Sequence, residues 1–268
     1  MQWVIGACGA LMVAGAAYYK QSLSLSGMIA AVIMGTIYFG AGNAFWFGIL
    51  LLFFISSSLL SRLHHEDKAE LEQTYDKTGR RDAGQVFANG GLGMLVVLLN
   101  ALHPHVLWEY LFLGVMATVT ADTWATEIGT LSTRPPRSVL TGKVLPTGAS
   151  GGVSLMGTMA AAAGGTLIGL ASWFLLLASG MKDSTLIALT LAGLIGGVAG
   201  AFVDSILGAT VQRMNRCTVC GREVEGSRHC GSHTVHARGW EWMNNDRVNF
   251  ISSLMGGLIA LLIGVILS

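Results

Sequence analysis

Charge is scarce in this sequence. Asp, Glu, Lys and Arg make up 12% of its 268 residues, about half the share found in a soluble domain. That excludes an ordinary water-soluble globule. The formal net charge is only +1, so the total gives no reason to expect a nucleic-acid partner. Met1–Tyr19 is apolar but has no basic residue ahead of it, which argues against a cleaved secretion signal and for a retained helix. Proline and cysteine each occur four times. No glycine run is followed by the Gly-Lys-Ser/Thr of a Walker A loop.

Apolar residues, by contrast, make up 52% of the chain, with 36 glycines and a mean hydropathy of +0.59. Apolar windows of about 17–25 residues mark membrane spans. Eight are expected, at roughly 2–19, 24–41, 43–61, 83–101, 105–121, 153–179, 184–210 and 248–268. The fold class that follows is an all-α transmembrane bundle with a small zinc-binding loop. It forms one domain, 1–268, with a Cys/His-rich insertion at 211–247. The first span is short, and a tilted or peripheral helix is expected there. The second and third meet at Gly40-Ala-Gly-Asn43, so one of them is a candidate re-entrant segment. All Lys and Arg residues except Lys182 fall in the loops after spans one, three, five and seven. The positive-inside rule makes that side cytoplasmic, with both termini outside.

Polar clusters gather on the same side. Ionisable groups at membrane depth cost roughly 2.5–3.5 kcal/mol each on insertion scales, so they usually serve a function. The fifth span ends in Asp122 and Glu127. On an unbroken helix these would point about 140° apart; a break near Gly129 would let both approach one hard cation such as Mg²⁺. Asp204 lies about two turns inside the end of span seven. Asp82, Gln85 and Asn89 share one helix face entering span four, below Arg80 and Arg81. Asn245, Asp246 and Asn249 enter span eight beside Trp240 and Trp242, whose rings suit a membrane interface. Between spans five and six, Arg134, Arg137 and Lys143 precede Thr147-Gly-Ala-Ser-Gly-Gly152. A glycine turn at a helix N-terminus favours phosphate, so Ser150, Gly151 and Gly152 are candidate phosphate contacts. The glycines of spans six and seven need no site, since small residues let helix backbones approach in lipid. Most of the loop after Arg62, including Lys68 and Lys77, reads as a solvated helical hairpin.

Three of the four cysteines fall in the last polar loop. Cys217-Thr-Val-Cys220 and Cys230-Gly-Ser-His233 have the spacing of a closed, tetrahedral, structural zinc site. His229 and His236 are alternative fourth ligands. Cys8 lies in the first span and reads as packing.

Five segments then resemble one family: 80–89, 121–129, 147–154, 202–212 and 244–249. It is a family of integral membrane proteins that includes plant phytyl-phosphate kinase, and it is distantly similar to dolichol kinase and CDP-diacylglycerol synthase. The resemblance implies CTP and Mg²⁺ at acidic clusters facing the cytoplasm. By position, Asp122, Glu127, Asp204 and Asp246 match metal or catalytic carboxylates. Asn89, Asn245 and Asn249 match polar partners, and Lys143, Ser150, Gly151 and Gly152 match phosphate contacts. Arg80, Arg81 and Arg134 are further candidates for phosphate oxygens.

The expected function is therefore a prenyl-monophosphate kinase in the bilayer. It transfers a phosphoryl group from a nucleoside triphosphate to an isoprenoid-phosphate lipid, with Asp122 and Asp204 on Mg²⁺ and a structural Zn²⁺ in the cysteine loop. In a prokaryote it would lie in the plasma membrane, and a homodimer is left open. The alternatives are a cytidylyltransferase that forms a CDP-lipid and an ion-coupled transporter.

Overall fold

The computed structural model describes residues 1–62, 80–180 and 185–267. Lys182, and most of the hairpin expected after Arg62, lie outside the described residues. Within them run eight helices: α1 Gln2–Tyr19, α2 Leu25–Ile37, α3 Ala44–Arg62, α4 Ala83–Leu102, α5 Val106–Gly129, α6 Leu155–Ala178, α7 Leu186–Thr210 and α8 Asn245–Leu267. A π-helical turn, Tyr38–Gly42, prolongs α2. The Asn43 side chain then accepts from the Phe45 amide at 2.8 Å and opens α3. Leu25–Gly42 and Ala44–Arg62 are each long and apolar enough to cross a membrane.

Seven helices meet that length and composition test; α5 does not. Its position explains why. Every residue from Tyr110 to Ala121 is buried, and α5 packs against α3, α4, α6, α7 and α8. A helix sheathed by protein needs no lipid-facing surface, so it tolerates polar groups. Thr118 and Thr120 bond back to the carbonyls of Gly114 and Met116, and Thr118 also reaches the Gly196 carbonyl on α7 at 3.3 Å. At the other extreme, α1 lies at the periphery on α2 and the π turn, with most of its surface exposed.

Small residues set the spacing of the inner helices. A Cβ on Gly196 would lie 2.8 Å from the Gly256 carbonyl on α8, and one on Gly165 would lie 2.5 Å from the Gly193 carbonyl on α7. These backbones touch, and dispersion contact of this kind holds helices together in lipid. Tyr38, Phe45, Trp46 and Phe112 cluster at one end of the bundle, with Trp46 and Phe112 ring centres 4.6 Å apart. The Tyr38 hydroxyl donates to the Gly90 carbonyl at 2.8 Å.

The opposite end carries the polar connections. Helices α1, α3, α5 and α7 finish there, and α2, α4, α6 and α8 begin there. Two small antiparallel sheets sit on this end. β1 Arg137–Ser138 pairs with β2 Gly152–Val153. β3 Met214–Cys217, β4 Glu223–Val224, β5 Arg228–His229 and β6 Ser232–Arg238 form a ribbon in the order β4-β3-β6-β5.

Candidate functional site

A cavity of about 840 Å³ opens at this polar end. Residues from all four connections line it, together with the adjoining turns of α3, α4, α5, α6, α7 and α8. It collects most of the residues singled out from the sequence: Asp122, Glu127, Asp204 and Asp246; Asn89, Asn245 and Asn249; Arg80 and Arg81; Ser150, Gly151 and Gly152. Arg134 and Lys143 do not line it, and both are exposed. Their loop folds outward: the Ser138 amide donates to the Lys143 carbonyl at 2.8 Å, and Arg137 caps the Gly142 carbonyl at 3.0 Å. That closed turn keeps Lys143 away from the phosphate position expected for it.

One wall is acidic. Helices α5 and α7 run in the same direction, and Asp122 and Asp204 each lie about two turns before the helix end. The two carboxylates therefore reach the same depth and repel one another. Glu225, from the ribbon, adds a second negative charge acting on Asp204. Ser252, buried on α8, donates its hydroxyl to Asp204 Oδ2 at 3.0 Å and fixes one oxygen of that carboxylate. Carboxylates held together in a wet cavity are the donor set that suits a hard divalent cation such as Mg²⁺. Asp246, on the first turn of α8, and Asn249 face the same space.

The other wall is cationic. Lys20, Arg62, Arg80 and Arg81 line it. Arg81 is fixed through its backbone, which pairs with Ser22 and Ser24. Its guanidinium lies 6.0 Å and 5.8 Å from the ring centres of Phe53 and Phe54. Burial lowers its pKa from the ordinary arginine value, and the Glu127 carboxylate opposes that shift. Glu127 thus belongs to this wall. The helix is unbroken to Gly129, so Glu127 points away from Asp122. It accepts from Ser61 Oγ on α3 at 2.5 Å instead. The helix break that would have brought both carboxylates to one ion is absent.

The polar stripe into α4 divides in two. Asp82 and Gln85 form a reciprocal capping box at the helix start, which satisfies backbone donors that would otherwise lack partners. Asn89, one turn further, donates to the Gln85 carbonyl at 3.0 Å and faces the cavity.

The glycine loop lines the same cavity. Gly151 has φ +81°, and a Cβ there would lie 2.5 Å from the Ala209 Cβ. Only glycine lets the loop lie against the end of α7. Ser150 Oγ donates to Gln212 Oε1 at 3.0 Å, and Gln212 Nε2 donates to Glu225 Oε1 at 2.8 Å. Loop, helix end and ribbon are joined by this chain of bonds. Arg238 of β6 adds bonds to the Gly208 and Ala209 carbonyls at 3.0 and 3.3 Å, capping the end of α7.

At the far end of the ribbon, Cys217, Cys220, His229 and Cys230 bring one ligand atom each within 4.8 Å of the others. The Cys220 and Cys230 sulfurs lie 3.4 and 3.2 Å from His229 Nδ1. His233, expected as the fourth ligand, is not in the group. Cys230 and Gly231 both have positive φ, 51° and 73°, and form the two-residue turn of a hairpin. The chain has therefore reversed before His233, which pairs with Arg228 across the hairpin. His229, the alternative, takes its place. A hydrogen bond from the Cys220 backbone, outweighing partial desolvation, pushes the Cys217 thiol down to about 6. The thiolate is the form that binds zinc.

Several residues that line the cavity or bond to its lining escaped the sequence reading. Ser61, Ser252 and Glu225 carry no motif, and their partners Glu127, Asp204 and Gln212 are distant in sequence. Lys20 and Arg62 were legible only as basic residues flanking apolar runs. Arg62 donates to the Lys20 carbonyl at 2.5 Å and to Ser22 Oγ at 2.8 Å.

Comparison with known proteins places this architecture. The chain is 33% identical to Protein PGR of Arabidopsis thaliana over 263 residues, covering 91% of this chain and 90% of the relative. It is 30% identical to Uncharacterized membrane protein MJ0933 of Methanocaldococcus jannaschii over 245 residues, covering 91% and 87%. It is 24% identical to Protein VTE6, chloroplastic, of Arabidopsis thaliana over 258 residues, covering 94% and 68%. No solved structure matches it. The model of Integral membrane protein DUF92 matches residues 8–257, and the chain belongs to that family of polytopic membrane proteins.

Proposed function

We propose that this protein is a metal-dependent phosphotransferase that converts a prenyl monophosphate to the diphosphate at the cytoplasmic face of a membrane. One observation carries this reading: a single cavity at the bundle's polar end is lined both by Asp122 and Asp204 and by Arg80 and Arg81. A nucleoside triphosphate with a divalent cation needs both kinds of wall. Asp122 and Asp204 would hold Mg²⁺, which would supply charge neutralisation to the phosphates. Ser252 orients Asp204 for that role. Arg80, Arg81, Arg62 and Lys20 supply positive charge to the phosphates.

An oxygen of the lipid phosphate attacks the terminal phosphorus of the nucleotide. The bond from that phosphorus to its bridging oxygen breaks, and the nucleoside diphosphate leaves. The acceptor is already anionic, so the chain's task is positioning and charge neutralisation rather than proton removal. The motif resemblance to the family that includes plant phytyl-phosphate kinase supports the reaction class. The cavity's place at one end of the bundle, away from the midplane, favours an enzyme over an ion-coupled carrier. Apart from Lys182, the basic residues fall in the connections at that end, which supports a cytoplasmic orientation.

The test is turnover by purified protein with Mg²⁺, labelled CTP, ATP, GTP or UTP, and phytyl, geranylgeranyl or farnesyl monophosphate. A prenyl diphosphate is expected. A CDP-lipid with release of pyrophosphate would replace the kinase by a cytidylyltransferase. No product from any pair, with folded protein, would sink both.

A further inference from the structure

A second, narrow cleft adjoins the cavity. It runs between α1, α2, α3 and α4 and is lined by small and apolar side chains such as Ala14, Ala31, Leu50 and Phe54. Among the described residues, its polar lining consists of Arg81, Gln85 and Asn89. Those same three residues line the large cavity. The polar cavity and the apolar cleft therefore meet at these three residues, and Arg81 is the charged one among them. Its guanidinium lies over the rings of Phe53 and Phe54, both of which line the cleft, and it carries positive charge toward the phosphate side.

We propose that this cleft holds the hydrocarbon chain of a singly phosphorylated lipid, with its phosphate at Arg81. The identity of the lipid as a prenyl monophosphate rests on the phosphotransferase reading; the location does not. Three features select the occupant. The cleft is apolar along its length, so a polar chain would lose hydration without compensation. From Arg81 to Gly90 it follows α4 for about 13 Å, at 1.5 Å per residue. The cationic Arg81 complements a phosphate, for which a guanidinium offers paired donors. This location differs from the glycine-lined surfaces of α6 and α7, where touching backbones leave no room for a chain.

The experiment is photolabelling of the full-length protein in lipid nanodiscs. The probe is geranylgeranyl monophosphate bearing a diazirine near the tail end, with no nucleotide added. Labelled peptides should come from α1 to α4, and excess unlabelled geranylgeranyl monophosphate should suppress the labelling more strongly than geranylgeraniol does. Ala31→Leu, which narrows the cleft, should cut the suppressible labelling by about tenfold, the scale set by a misfitted methylene group, in protein with an unchanged melting temperature. Labels concentrated on α6 and α7, or spread over the lipid-facing surface, would overturn the proposal. So would equal competition by the phosphate-free alcohol. Because labelling needs no turnover, a chain labelled in the cleft but inactive in every assay would sink the phosphotransferase reading alone. Turnover with the label elsewhere would sink the cleft alone.

Discussion

Ser252 on α8 donates its hydroxyl to Asp204 Oδ2 on α7 at 3.0 Å. One oxygen of Asp204 is thereby aimed, and Asp204 and Asp122 line the same cavity. Partners that orient a metal-binding carboxylate are typically worth about 10–100-fold in affinity or activity. Ser252→Ala should lower turnover by about tenfold and raise the Mg²⁺ concentration needed for half-maximal rate. An unchanged Mg²⁺ dependence would show that the bond serves packing alone.

The two aspartates should be far more sensitive. Asp122→Asn and Asp204→Asn keep side-chain size but remove the charge that would hold the cation. Loss of several kcal/mol of metal stabilisation corresponds to at least about a hundredfold in rate. Each variant should elute from a sizing column like the unmodified protein while losing Mg²⁺-dependent product formation. Full activity in either would remove that residue from the site.

The ribbon makes a sharper distinction between histidines. His229→Ala should empty the zinc site, and His233→Ala should leave it filled, as read by metal analysis of purified protein against about one zinc per chain. The reverse pattern would mean that the Cys230–Gly231 turn is not as described. Stripping the metal with a chelator should loosen the Gln212–Glu225 and Arg238 contacts that tie the ribbon to α7. Faster amide exchange in 211–244 would report this.

The glycine loop depends on one backbone position. Gly151→Ala places a Cβ against Ala209 in a region of positive φ, and such strain costs about 1–3 kcal/mol. The expected results are a lower melting temperature and a raised KM for nucleotide. Ala149→Gly, in the same turn, should leave both nearly unchanged. Equal effects from the two substitutions would discount the contact with α7.

Orientation is open to direct labelling. In a Cys8→Ser background, a cysteine replacing Lys143 should resist a membrane-impermeant maleimide added outside intact cells. One replacing His103, at the opposite end of the bundle, should react. Reaction at Lys143 alone would invert the proposed topology.

The sequence by itself determined the membrane class, the positions of the helices and the end of the bundle on which the polar groups gather. Apolar periodicity and charge asymmetry are local properties, so residues such as Asp122, Asp204 and Asn249 could be placed at one level without coordinates. The cysteine cluster was legible for the same reason, since metal-ligand spacing is local. Tertiary structure decided the rest. It put Glu127 beside Arg81 and Ser61 rather than with Asp122, because an unbroken helix turned the two carboxylates apart. It removed Lys143 from the site, because a closed turn directs its loop into solvent. It chose His229 over His233, because a hairpin turn reverses the chain between them. It also joined an apolar cleft to the polar cavity at Arg81, a relationship among four helices that no single segment encodes.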